Sequence, residues 1–301
     1  MTQYPRPPLP DEPLSVSAPL AREWARHLCH RNDDDGHGCE WFHGLWQYLR
    51  LLDITDTSHS LFMTTPRDHA TFYLEALRPL IRRGARRVLV SGCADYAMPA
   101  YVIWAFATEG AGADLTAVDI CRTPLRLCEW YAQRIDAKIS TEIADIITYR
   151  PSAPFDIICT HSLFGNFSPL RRRSLLEHWR SLLAPGGRVV TVHRVRAGGA
   201  RTNRGSETQQ QGFRLWAERE AEQARHRLAM DPKEFAAMAA TYVAARSGRH
   251  SIRSAEEFRT LFESCGFRIE SLRVGPLTGR AVTNSMSSGD AQYAEVVAAR
   301  E

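Results

Sequence analysis

The stretch "RRVLVSGCADYAMPAYVI", residues 86–103, decides the fold. An apolar run ends at Ser91-Gly92 and a helix-like segment follows. That is the layout of a nucleotide-binding strand, turn and helix, in which backbone amides at the start of a helix receive a polar ligand. Of the glycines such a turn usually carries, Gly92 stands, while Ala94 and Tyr96 occupy the other places. Taken alone, the stretch fits a working cofactor loop, a modified one, or a buried strand with a turn.

Outward from it the chain alternates. Apolar, β-prone segments fall at 86–91, 114–119, 138–144, 155–160 and 187–195, with helical stretches between them. Interleaving of this kind predicts right-handed crossovers and a mainly parallel sheet. The rhythm breaks at 197–206, "AGGARTNRGS", a predicted loop, and 207–247 reads as two helices. It resumes with "SAEEFRTLFESCGF", a helix with Ser254 as its cap and Gly266 as its stop, then β segments at 267–274 and 291–299. Upstream, residues 1 to 14 form a Pro-rich acidic tail. Two helical patterns flank "NDDDGHG" between Ser15 and Ile54, and an amphipathic helix covers 67–82.

Three polar features end consecutive strands, the edge at which open α/β sheets bind ligands. They are the Ser91–Asp95 turn, Asp119 and Asp145. A carboxylate in the place of Asp119 can accept both hydroxyls of a ribose; otherwise it caps the next helix. Asp145 can take an adenine amino group while Ile146 covers the ring; otherwise it is a turn residue. Asp119 lies 24 residues after Asp95, a separation that suits one βαβ unit.

Composition narrows the rest. With 301 residues, 44% hydrophobic and 24% charged, the chain is globular and long enough for a sizeable core. No apolar run is long enough for a membrane helix and the start lacks a signal-peptide pattern, so a cytoplasmic protein with no membrane partner is expected. The net charge of +4 is spread without an aromatic-studded basic stripe, which points away from nucleic acid. The densest basic cluster, "LRRRSLLEHWR" from Leu170, has the spacing of a solvated helix face. Seven scattered cysteines fit buried free thiols in a reducing compartment. "HLCHRNDDDGHGCEWFH" holds His27, Cys29, His30, His37, Cys39 and His43, but no CxxC or HxxxH spacing occurs, so no metal is expected.

Residues 63–301 resemble the class I S-adenosylmethionine-dependent methyltransferases. Besides the strand-end carboxylates, the likeness rests on "FDIICTHSLF" (155–164), "LLAPGGRVVTVH" (182–193) and "FRTLFESCGFRIESL" (258–272). It implies a Rossmann-like α/β fold, a seven-stranded, mostly parallel sheet whose last strand, "AEVVAA", runs antiparallel. Residues 1–62 would then be an N-terminal tail and helical lid, with a helical insertion at about 197–250. Departures are plain: Val90 stands where the family usually has an acid, and only Gly92 remains of three glycines. The cofactor implied is S-adenosylmethionine, with Ser91, Gly92, Ala94, Asp119, Ile120, Asp145, Ile146 and His161 around it. Arg67 is a candidate for its carboxylate and is otherwise a surface residue.

A sulfonium carbon is already electrophilic, so such an enzyme mainly positions a nucleophile and excludes water. Catalytic candidates are His161, Asn166 and Tyr48; His161 is either a base or a shape-forming residue. Trp41, Trp46, Phe164 and His193 are candidates for the substrate pocket and its lid, although the aromatic N-terminal helix also fits plain core packing. Thr160-His161-Ser162-Leu163 replaces the motif that marks methylation of nucleobase amines. The resemblance therefore implies methyl transfer to an N or O nucleophile of a small molecule. Two alternatives stay open. One is cyclisation of the cofactor to azetidine-2-carboxylate with release of methylthioadenosine, since the chain also resembles the azetidine-2-carboxylate synthases of this fold. The other is a non-catalytic partner protein.

Overall fold

The computed structural model describes residues 8–29, 38–55, 64–195, 207–245, 252–276 and 292–301. The loop predicted over 197–206 lies outside the described residues.

Strand β1 (Arg87–Ser91) lies inside the sheet. Val88, Leu89 and Val90 are all fully buried, as a parallel strand covered on both faces requires. It pairs in parallel with β2 (Asp114–Asp119) on one side and β4 (Phe155–His161) on the other. β2 continues to β3 (Ser140–Ile143), and β4 to β5 (Leu183–Val195). Beyond β5, β7 (Gln292–Arg300) runs antiparallel and pairs with β6 (Phe267–Pro276). The sheet order is β3-β2-β1-β4-β5-β7-β6, the seven strands expected, with the last one reversed.

β5 begins four residues before its predicted start. Phe155 pairs with Leu183 and Ile157 with Arg188, so the segment through Pro185-Gly186-Gly187 bulges. Gly186 has φ +73°, and a Cβ on Gly187 would lie 3.0 Å from the Ala184 carbonyl oxygen and 3.1 Å from that of Asp156. The Pro-Gly-Gly element is thus a backbone necessity.

Helices α4 (Ala97–Thr108), α5 (Arg122–Arg134) and α6 (Pro169–Leu182) join β1 to β2, β2 to β3 and β4 to β5, whereas residues 144–154 join β3 to β4 without the helix expected there. Ser168 caps α6, with Pro169 in its first turn. The solvated face expected of α6 is interrupted: Arg171 and Arg173 are exposed, but Arg172 is buried and donates to the Phe164 carbonyl at 3.0 Å.

The N-terminal helices α1 (Leu14–Leu28) and α2 (Glu40–Thr55) belong to the core. Leu14, Leu45 and Leu49 share one apolar cluster with Val88, Val90 and Tyr101, whereas Leu89 faces the cluster on the other side of the sheet with Trp179 and Phe258. A 3-10 turn (Pro66–His69) leads into α3 (Ala70–Arg82). Among its described residues the insertion holds three helices where two were expected: α7 (Glu207–Gln223), the short α8 (Arg225–Leu228) and α9 (Pro232–Ala245). Ala229 at φ +46° ends α8, and Asp231 accepts from the Lys233 amide at 2.7 Å as α9 begins. Helix α10 (Ala255–Glu263) starts at Ser254, whose hydroxyl accepts from the Glu257 amide at 3.0 Å. Among the described residues no helix is long and apolar enough to cross a membrane.

Candidate functional site

The sheet order reverses between β1 and β4, and a cavity of about 420 Å³ opens there at the carboxyl ends of β1 to β4. Its wall brings together Gly92, Ala94, Asp119, Ile120, Asp145, Ile146, His161 and Asn166, with Trp41 and Trp46 from α2.

Gly92 turns the chain out of β1 at φ +73°. A Cβ there would come within 2.6 Å of Leu163 Cδ1, so glycine serves both dihedral and space. Val90, where the resemblance leads one to look for an acid, is fully buried in the apolar cluster, a place in which an unpaired carboxylate would be costly.

Asp119 is fixed by the backbone. Its two carboxylate oxygens accept from the amides of Cys93 and Cys121, each at 2.8 Å, which leaves a lone pair on each oxygen for a ligand donor. Burial pushes its carboxyl up to about 6, against the opposing pull of His43 and the two amides. Asp145 Oδ1 accepts from the Ile147 amide at 3.0 Å and Oδ2 from Arg171 at 3.0 Å. The Arg171 guanidinium also lies over the Phe167 ring, 5.7 Å from its centroid, so it shuts the Asp145 side of the cavity.

At the opposite side, sequence reasoning missed a buried ion network. Asp95 Oδ1 accepts from the Ala97 amide at 2.8 Å as α4 begins, and Oδ2 receives Arg50 at 2.5 Å. Arg50 also pairs with Glu12, and all three side chains are 1–2% exposed. Burial alone would lower the Arg50 pKa, but Asp95 and Glu12 outweigh it and hold the guanidinium charged. Arg50 Nε is buried without a partner, and Arg50 lines the cavity. Arg67 does not line it: its guanidinium is 3.2 Å from Glu12. The only sequence signal for Arg50 was a lone charge within the apolar run "LWQYLRLL".

His161 ends β4. Its Nδ1 is 3.0 Å from the Tyr73 hydroxyl, and Nε2 is 3.1 Å from the Thr64 hydroxyl and 3.0 Å from the Thr64 carbonyl. Burial, with help from His69, drives its pKa well below the ordinary value, so the ring is neutral. Both nitrogens are engaged by the protein, an arrangement that holds the ring in place and leaves neither free to take a proton.

Four further candidates stand apart from the cavity wall. The Ser91 hydroxyl accepts from the Trp179 indole at 3.1 Å, and its carbonyl from Thr160 at 2.7 Å. Tyr48 is buried, and Arg22 is its charged neighbour. Phe164 is fully buried between Trp179, Phe258 and Phe262. His193 stacks on Phe258 at 5.9 Å. In each case the pleat or helix turn directs the side chain into packing.

The aromatic segment of α2 both lines and packs. Phe42 stacks on Trp46 at 5.6 Å and on Tyr242 of α9 at 6.3 Å, and Trp41 meets Tyr242 edge-on at 5.7 Å. Near them three cysteines converge: Cys39 Sγ is 3.4 Å from Cys121 Sγ, which is 3.6 Å from Cys29 Sγ. Contacts with Cys29 and Cys39 pull the Cys121 pKa down, and contact with Cys121 pushes that of Cys29 up. Burial would lower the His43 pKa, but its hydrogen bonds to Cys121 and Cys39 outweigh this and raise it to about 10.

No family model matches the sequence, and no curated protein matches it either. Solved structures do match in fold. A Nostoc punctiforme PCC 73102 protein assigned as an O-methyltransferase aligns with a TM-score of 0.50 at 13% identity, over 96% of this chain and 70% of that one. Magnesium protoporphyrin IX methyltransferase (ChlM) from Synechocystis PCC 6803, solved with S-adenosylhomocysteine, gives 0.49 at 12% identity over 94% and 99%. The N-methyltransferase NodS from Bradyrhizobium japonicum WM9 gives 0.44 at 15% over 78% and 86%. At such identities the likeness is one of fold: the chain has the class I methyltransferase fold.

Proposed function

We propose that the protein binds S-adenosylmethionine in this cavity and catalyses transfer of its methyl group to an N or O nucleophile of a small molecule. The observation that carries the reading is the convergence of Asp119 and Asp145, at the carboxyl ends of the neighbouring strands β2 and β3, on one cavity with the Gly92 turn in the same wall. Asp119 has acceptor capacity left for two ribose hydroxyls, and Asp145 for an amino group. Ile120, 58% exposed, offers an apolar surface to a purine, with Ile146 beside Asp145. Arg50, with its unpartnered Nε, and Asp95 supply the charges an amino-acid carboxylate and ammonium call for. This replaces the role assigned to Arg67, which is spent on Glu12.

The bound cofactor supplies a methyl group on a sulfonium, an electrophile that needs no further activation. The protein's part is orientation and exclusion of water. Trp41, Phe42 and Trp46 line the cavity, and aromatic rings there suit a sulfonium or an ammonium substrate. Neutral His161, tied at both nitrogens, shapes the wall with Asn166 and Leu163.

Titration calorimetry with S-adenosylmethionine and S-adenosylhomocysteine tests the binding. No heat from a folded protein would refute the reading and favour a non-catalytic partner. Incubation with cofactor alone, then with small amines and phenols, tests the reaction. S-adenosylhomocysteine formed only with an acceptor supports methyl transfer. Methylthioadenosine formed without one would identify ring closure to azetidine-2-carboxylate instead.

A further inference from the structure

We propose that Cys29, Cys39, Cys121 and His43 form a zinc(II) site that clamps the two N-terminal helices to the loop carrying Asp119. The three sulfurs lie within 4.8 Å of one another, although they come from the end of α1, the start of α2 and the loop after β2. The two shortest separations are 3.4 and 3.6 Å. A disulfide needs about 2.05 Å. Tetrahedral zinc with Zn–S near 2.3 Å sets ligand sulfurs about 3.8 Å apart. The thiols therefore already stand close to the spacing of a metal's ligands.

His43 is the candidate for the fourth position: its ring nitrogens stand outside the 4.8 Å group formed by the three sulfurs, so the ring must turn towards them on binding. It lies one helical turn after Cys39, with its backbone amide donating to the Cys39 carbonyl at 3.1 Å, and its ring interacts with Cys39 and Cys121. The imidazole is buried, and its Nδ1 has no partner among protein atoms. Such an orphaned nitrogen costs stability unless something fills the place.

The surroundings suit thiolates. Cys121 is the N-cap of α5 and Cys39 directly precedes α2, so two helix N-termini face the sulfurs. The Thr123 hydroxyl lies 3.2 Å from Cys29 Sγ, an outer partner of the kind that orients metal ligands. Three soft sulfurs and one imidazole select zinc over magnesium or calcium, and a full set of four protein ligands describes a structural site. Binding forms three Zn–S bonds and one Zn–N bond. Each thiol gives up its proton as its Zn–S bond forms, so affinity falls as pH falls.

Because Cys39, His43 and Cys121 also line the cavity, the metal would hold one of its walls in place. The metal readout needs no nucleotide, so this inference and the cofactor reading can fail separately.

The test is metal analysis of the full chain purified untagged under reducing conditions, followed by cobalt(II) exchange. About one zinc per chain is expected. The cobalt form should show thiolate-to-cobalt charge transfer and the intense visible bands of four-coordinate geometry. Cys121→Ser should lose metal binding, while Cys265→Ser, a buried thiol elsewhere, should keep it. Should Cys121→Ser not fold, the wild-type cobalt spectrum still decides. A metal-free protein whose three thiols titrate freely with a disulfide reagent, or in which two are joined as a disulfide by mass, overturns the proposal.

Discussion

Gly92→Ala should damage both folding and ligand binding, and the structure says by how much. The new methyl would sit 2.6 Å from Leu163 Cδ1, closer than such atoms approach, and a tight 3.3 Å from its Cδ2. The obstacle is the end of a flexible side chain, so Leu163 can turn away. Leu163 lines the cavity, and its displacement narrows the space beside the strand-end turn. Folding keeps two costs. An L-residue at φ +73° carries about 1–2 kcal/mol of left-handed strain. The repacking of Leu163 adds about 1 kcal/mol, the low end for overpacking. A loss of roughly 2–3 kcal/mol in urea unfolding is expected, together with a weakening of S-adenosylhomocysteine binding by tenfold or more. Leu163→Ala in the same chain removes the clash but not the dihedral strain. The double variant should therefore regain affinity while keeping the strain part of the stability loss. An unchanged affinity in Gly92→Ala, or a double variant that binds no better than it does, would refute the placement of the ligand against this turn.

Asp119→Ala should weaken cofactor binding by about 1–3 kcal/mol, the scale of lost charge-assisted hydrogen bonds, measured by calorimetry on protein confirmed as folded. Arg50→Met would leave Asp95 and Glu12 buried at 2% and 1% exposure with their shared cation gone; a stability loss of about 3–5 kcal/mol in denaturant unfolding is expected, and a near-neutral result would show that the network does not form. The imidazole of His161 should not titrate across neutral pH, because burial holds its folded pKa well below 6.5. The sign follows: protonation is disfavoured in the fold, so His161 costs no stability at neutral pH and begins to destabilise as pH falls through its ordinary value. Histidine resonances in NMR spectra would check this, and a His161 signal that moves between mildly acidic and neutral pH would contradict it.

Much of the fold was legible because it rests on local periods. Val88-Leu89-Val90 and the segments like it are apolar on both faces, which is what a parallel strand between helices demands, and Ser254 and Gly266 punctuate a helix by backbone chemistry alone. The strand-end carboxylates were legible for the same reason, since a strand's end fixes which edge of the sheet its last residue reaches. Side-chain direction was less so. Ser91 and Phe164 sit next to wall residues in sequence, yet each points into packing, Ser91 towards Trp179 and Phe164 towards Phe258.

The sequence by itself determined the strand order's raw material, the interleaved helices and the acids at the ends of β2 and β3, since each follows from hydrogen-bond geometry and hydrophobic spacing within a few residues. Tertiary structure alone decided which cation meets Asp95 and which thiols meet one another. Arg50 reaches Asp95 from 45 positions away, and Cys121 lies 82 and 92 positions from Cys39 and Cys29. Contacts at such separations form only when crossovers and packed helices bring distant segments together, and no local pattern records where those segments will stop.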